Sequence, residues 1–94
     1  MKNFEWNKEK NRWLKENRDI SFEEIVLYIE NGGLLDSYEH PNSNKYPRQS
    51  IFVVRTGSYV YIVPYIEEDT YYFLKTIIPN RKAKKKYLEE NNGW

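Results

Sequence analysis

Apolar positions follow a helical rhythm in the first third of the chain and a strand rhythm in most of the rest. Asn7 caps a predicted helix over about Lys8 to Asn17, where Trp6, Trp13 and Leu14 form one narrow apolar stripe beside Lys10. The next helix is announced by the S-x-x-E capping box of Ser21 and Glu24, with Ile20 and Ile25 at the flanking staple positions. Phe22, Ile25, Val26 and Ile29 make its buried stripe, and Gly32-Gly33 end it. A short strand over Leu34 to Glu39 follows, then a polar loop from His40 to Pro47 rich in turn formers.

Three longer strands come next: Gln49 to Arg55, Tyr59 to Ile66 and Thr70 to Ile78. They are joined at hairpin lengths by Thr56-Gly57-Ser58 and Glu67-Glu68-Asp69. The middle strand alternates Tyr59, Tyr61, Val63 and Tyr65 with Val60, Ile62, Pro64 and Ile66, so both faces are largely apolar. One face must take the helices, and the tyrosines on the other either support the C-terminal segment or face a ligand. Pro64 calls for a bulge or an unpaired amide. With a last helix from Arg81 to Asn91, held by Tyr87 and Leu88, the order is α-α-β-β-β-β-α. The expected class is α+β: a compact antiparallel sheet of three to four strands, two N-terminal helices and a basic C-terminal helix.

Ninety-four residues make one domain with a modest core. The absence of cysteine removes disulfides, zinc–thiolate sites and thiol nucleophiles. The N-terminus lacks the apolar segment of a signal peptide, and no apolar run approaches the roughly 18 residues of a membrane span, so a cytoplasmic protein with no membrane partner is expected. A net charge of +1 conceals segregation, since Glu23-Glu24 and Glu67-Glu68-Asp69 lie apart from the basic run that starts at Arg81. Aromatic residues reach 17%, mostly tyrosine, which suits half-exposed strands or an interface as well as a core.

The basic run is the first candidate for chemistry. If Pro79-Asn80 opens a helix, Arg81, Lys82, Lys84 and Lys85 crowd the positive end of its dipole, where acidic residues are favoured by roughly 0.3–1 kcal/mol each. Local stability given up beside an aromatic strand points to a polyanionic partner, with these cations and Tyr71 holding the phosphate backbone; a solvated helix face is the plainer reading. Lys75, a charge within the aromatic strand, either blocks edge-to-edge aggregation or stabilises charge developing on phosphorus. His40 is the only histidine and the natural acid or base near neutral pH, with Glu39 or Asp36 to orient it. Arg48 and Arg55 flank the following strand and either can grip phosphate; a surface ion pair is the plainer reading of both, more so for Arg55. Trp6, Trp13 and Tyr28 read as core aromatics rather than a stacking platform. No phosphate-binding glycine loop, Ser-His-Asp order or metal-ligand spacing is present, and neither metal nor cofactor is expected.

Three segments together resemble the BrnT family of type II toxins: Phe4-Glu5-Trp6-Asn7, Ile20-Ser21-Phe22-Glu23-Glu24 and Ile77-Ile78-Pro79-Asn80-Arg81-Lys82-Ala83. Their counterparts in the family read F-x-W-D, S-F-E-E-A and I-I-S-A-R-x-A. The resemblance spans nearly the whole chain and implies a RelE-like fold, a ribonuclease that arrests translation, and a cognate antitoxin that neutralises it. Arg81 then matches the arginine of the last motif, and Arg48 or Gln49 falls near the arginine that starts the strand after the long loop. The sequence departs from the family at Pro79, where the family has serine, and at Thr76, where it often has arginine.

On this reading RNA, as mRNA free or on the ribosome, is cut without metal by attack of its own 2′-hydroxyl. Arg81, Lys75 and Arg48 would support the transition state and His40 would move the proton. A non-catalytic RNA-binding module and a protein-directed toxin of the same fold are the rivals. A structural partner within an antitoxin–DNA complex, with Trp94 at its interface, is a third. A homodimer and a toxin–antitoxin hetero-oligomer both stay open.

Overall fold

The chain begins not with a helix but with a strand, β1 (Asn3–Trp6), followed by α1 (Lys8–Arg18) and α2 (Phe22–Tyr28). This computed structural model describes residues 2–57 and 59–90, the side chains of 89 and 90 excepted. Ser58 of the first predicted turn, Asn91 at the predicted end of the last helix and Trp94 lie outside the described residues. Asn7 caps α1 by accepting the Lys10 N–H at 2.9 Å. Ser21 caps α2 by accepting the Glu24 N–H at 3.1 Å, a contact of about 0.5–2 kcal/mol. α2 runs into a wider turn, Ile29–Gly33, which Gly32 breaks with a φ of 90°. Gly33 is required for another reason: a Cβ there would lie 2.7 Å from the carbonyl oxygens of both Arg55 and Tyr28.

The remaining strands are β2 (Leu34–Glu39), β3 (Gln49–Thr56), β4 (Tyr59–Glu67), β5 (Tyr71–Leu74) and β6 (Ile78–Pro79), before a short helix α3 (Arg81–Lys84). They make one six-stranded mixed sheet ordered β1-β5-β4-β3-β2, with β6 beside β5 along the same edge of β4. This overturns the antiparallel sheet of three to four strands, and with it the expected RelE-like arrangement. β1 pairs with β5 in parallel, Phe4 opposite Tyr72 and Trp6 opposite Leu74. Its alternation covers only four residues, too short a signal for strand reading, and it is fixed by a partner almost seventy residues away. The regular final helix also gives way: α3 holds four residues and widens into a π-type turn over Lys85–Glu90.

The single strand expected over Thr70 to Ile78 divides opposite Pro64. Leu74 pairs with Tyr65, Ile78 pairs with Ile62, and the register slips by one residue between them. Pro64 has no N–H to give the ladder, although its carbonyl still accepts the Lys75 N–H at 2.8 Å. The slip reverses the facing of the following residues, so Leu74 and Ile77 are both buried in the core beneath α1 and α2. A second bulge, between Leu34 and Asp36, sets Asp36 opposite Val53 and so on the same face as Leu35, away from Leu34.

Two cores flank the sheet. Leu14, Ile20, Phe22, Ile25 and Ile29 meet Phe52, Val54, Val63 and Tyr65 on one face, where the Phe52 and Tyr65 rings stack at 3.7 Å. On the other face Ala83, Tyr87 and Leu88 cover Ile51, Val53 and Val60. The tyrosine side of β4 therefore lies under the N-terminal helices, and its aliphatic side takes the C-terminal segment. Asn11 joins α1 to α2: its Oδ1 accepts the Phe22 N–H at 2.8 Å and its amide donates to Glu23 at 2.7 Å. Asn11 is buried, and an unpaired Phe22 N–H there would cost about 1–3 kcal/mol.

Candidate nucleic-acid interface

The C-terminal segment is built so that apolar residues hold it and cations are left outside. Asn80 anchors its start, donating its backbone N–H to the Val60 carbonyl at 3.2 Å and accepting the Ala83 N–H on Oδ1 at 2.7 Å. Ala83, Tyr87 and Leu88 recur at helical spacing and face the sheet, which turns Arg81, Lys82 and Lys85 outward to solvent. The first turn of α3 contains no acidic residue to offset them. Lys84 lies over the Tyr59 ring, its Nζ 5.2 Å from the centroid, and Tyr59 in turn contacts Tyr61 at 5.4 Å. Tyr59, Arg81, Lys84 and Lys85 line an open cleft of about 480 Å³.

Three cations elsewhere are paired with carboxylates. Lys2 pairs with Glu67 at 2.8 Å, Lys15 with Glu23 at 3.8 Å and Arg48 with Glu68 at 3.2 Å. Among the described side chains, Arg81, Lys82, Lys84 and Lys85 make no ion pair. The cleft therefore presents concentrated positive charge beside an aromatic ring, which suits a phosphate backbone with a base or sugar alongside.

The residues expected to share one catalytic cleft are not brought together. The His40 N–H donates to the Gln49 carbonyl, and Gln49 pairs with Ile66 of β4; Asn80, next to Arg81, contacts Val60. Those two positions on β4 are separated by roughly 20 Å at a strand rise of about 3.3 Å. His40 Nδ1 accepts the Asn42 N–H at 3.0 Å and its ring packs on Tyr46 at 4.4 Å, so the imidazole braces its own loop. Arg48 sits near it, with a left-handed φ of 66°, and is held by Glu68. Tyr71, half-buried on β5, lies at that same end, its carbonyl accepting the Glu68 N–H at 2.8 Å. Lys75 occupies the bulge opposite Pro64 with its Nζ 5.5 Å from the Phe73 ring.

Other expectations move as well. Asp36 does not orient His40; its Oδ2 accepts the Tyr87 hydroxyl at 2.8 Å, fastening the C-terminal segment to β2. Among the described side chains Arg55 makes no ion pair; it braces the β3–β4 turn, donating to the Gly57 carbonyl at 3.2 Å. Trp6 stacks on Phe22 at 5.6 Å as a core aromatic should, whereas Trp13 is 42% exposed and Tyr28 is 37% exposed. Tyr59 was visible in the sequence only as one of several alternating tyrosines, and nothing in the local pattern marks it as the one beside α3.

The Tyr87–Asp36 contact makes the attachment of the basic segment depend on pH. Burial first, and then the hydrogen bond to Asp36, push the Tyr87 hydroxyl from 10.0 up to about 12. The same bond holds the Asp36 carboxyl below its ordinary 3.8. A raised tyrosine contributes stability fully below pH 10 and loses it as pH climbs toward about 12. A depressed carboxyl contributes above its ordinary value and loses that contribution as pH falls through its lowered one. Denaturation midpoints should therefore be level between these limits and fall outside them. Tyr87→Phe is expected to make both limbs shallower, leaving the parts that belong to Glu23, Lys2 and Tyr61, and unchanged limbs in that variant would show that the bond has no part in the pH response.

Comparison with protein-family models, with curated proteins and with solved structures finds no match to this chain. Among the described residues, no helix is long and apolar enough to cross a membrane.

Proposed function

We propose that this chain is the toxin component of a BrnT-like toxin–antitoxin pair and that it acts by binding RNA through the cleft at the start of its C-terminal segment. The observation that carries the RNA contact is the cluster of Arg81, Lys84 and Lys85 around Tyr59, which makes no ion pair among the described side chains. Three cations within one cleft can each displace a counterion from a phosphate, and the tyrosine ring offers an apolar face to a sugar or base. The toxin role rests on the resemblance of the three sequence segments, and a cognate antitoxin is its expected partner.

Binding is the reading that the geometry supports best, because the only histidine lies at the far end of the β3–β4 ladder, where it braces a loop. Cleavage is the second reading, favoured by the Tyr59 hydroxyl, the one side chain lining the cleft that can both give and accept a proton. In that case the 2′-hydroxyl attacks the adjacent phosphorus and the 5′-oxygen leaves. Arg81 and Lys84 would stabilise the charge on phosphorus, giving 2′,3′-cyclic phosphate ends.

The test is to incubate the purified chain with labelled single-stranded RNA in chelator, measuring binding by fluorescence anisotropy and integrity on a denaturing gel. Bound, intact RNA supports the proposal, and cyclic-phosphate termini move it to the second reading. No binding to any RNA would overturn both. Growth arrest on expression, relieved by the gene product encoded alongside, tests the toxin role independently.

A further inference from the structure

The outer face of α1 carries a second arrangement of the same kind. Five of its eleven residues are cationic (Lys8, Lys10, Arg12, Lys15 and Arg18) against Glu9 and Glu16, and among the described side chains only Lys15 of these cations is in an ion pair. Trp13 stands among them 42% exposed, with Lys10 Nζ 4.4 Å and Arg18 Cζ 5.0 Å from its ring. The core does not need this ring, since Leu14 and Asn11 are the buried residues of the helix. A large apolar surface kept at the exterior, with two cations resting on it, is what a stacking site for a base presents.

This face is joined to the α3 cleft. Arg18 donates to the Ile77 carbonyl at 2.6 Å, which ties the end of α1 to the strand that delivers Arg81 four residues later. At strand rise, Ile77 and Arg81 are roughly 13 Å apart. Tyr61, whose hydroxyl is raised by burial first and then by its neighbour Tyr59, contacts Tyr59, which itself lies beneath Lys84. Tyr61 and Tyr59 thus lead to the α3 cleft, with Asp19 and Glu24 also near the Tyr61 hydroxyl.

We infer that the Lys10–Trp13 face of α1 is a second contact for the RNA strand bound at α3, with Trp13 stacking on one base and Lys10 released to an adjacent phosphate while Arg18 stays on the Ile77 carbonyl. The inference rests on the RNA-binding reading and lengthens its footprint. A single strand fits better than a duplex, because its unstacked bases can reach a side chain standing on a helix surface.

The test compares single-stranded RNAs of about 4 and about 12 nucleotides, the range that one small binding domain covers. Trp13→Ala is expected to weaken binding of the longer RNA about tenfold and to leave the shorter unchanged, with Trp13→Phe restoring most of the loss. Arg81→Ala with Lys84→Ala should weaken both. Thermal midpoints within a few degrees of the parent chain confirm that the exposed position is not needed for folding. Equal binding of the longer RNA by the parent chain and Trp13→Ala would overturn the inference while leaving the α3 site intact. If the parent chain binds neither length, both fall, and the Trp13 face is left for a protein partner.

Discussion

Replacing Phe22 with alanine is expected to destabilise the fold by about 3–5 kcal/mol, the largest effect of any single truncation considered for this chain. Phe22 is fully buried at the first turn of α2, stacked on Trp6 from β1, and packed in the core that joins both N-terminal helices to the sheet. Its backbone N–H is the one that Asn11 satisfies, so the side chain and the main chain at this residue hold the same junction. A domain of this size has about 5–15 kcal/mol of stability in total, and each kcal/mol moves the midpoint by about 4–8 °C. The variant should therefore melt about 15–30 °C below the parent chain. Leu27→Ala, at a position 60% exposed, should stay within about 0.5 kcal/mol. Urea denaturation of the two variants gives the comparison, and a Phe22→Ala loss below about 1 kcal/mol would mean that the junction is not where the stability lies.

The second large effect concerns the α3 cleft and its dependence on salt. For single strands, log affinity falls by about 0.7 per neutralised phosphate for each tenfold rise in salt. Contacts from Arg81, Lys84 and Lys85 to three phosphates of a short RNA give a slope near −2, a loss of roughly 20-fold between about 50 and 200 mM salt. Arg81→Ala with Lys84→Ala should reduce the slope to about −0.7, a loss of only about threefold over the same range. Arg48→Ala is the internal control: its guanidinium is already held by Glu68, so the slope should not change. Anisotropy titrations at several salt concentrations measure all three proteins. A double variant that keeps the parent slope would place the RNA contact elsewhere on the molecule.

What could be read from the sequence depended on how local each signal was. The capping residues Asn7, Ser21 and Asn80 act within three residues of themselves, and each accepts the N–H its position requires. The alternation along β4 is equally local and runs as read, although which face meets which helices is not contained in it. The strand β1 carries no such local signal, because four residues hold too little periodicity and only β5 makes them a strand. Pro64 signalled a break in pairing, yet its consequence fell on another segment, where it divides one long strand into β5 and β6 and turns Ile77 inward.

The candidate site divides in the same way. Clustering of Arg81, Lys82, Lys84 and Lys85 is a property of adjacent residues and was visible at once. That no described carboxylate pairs with this charge is decided by position in space, as is the pairing of Lys2 with Glu67, Arg48 with Glu68 and Lys15 with Glu23. Residue type alone grouped His40 and Arg48 with Arg81, whereas strand register sets them at opposite ends of a sheet. By itself the sequence determined the helix caps, the strand periodicity and the basic character of the last segment, because those depend on interactions a few residues long. Only the tertiary structure decided the parallel edge strand, the exposure of Trp13 and the company kept by each charged group, since pairing across a sheet joins residues whose separation along the chain carries no local signal.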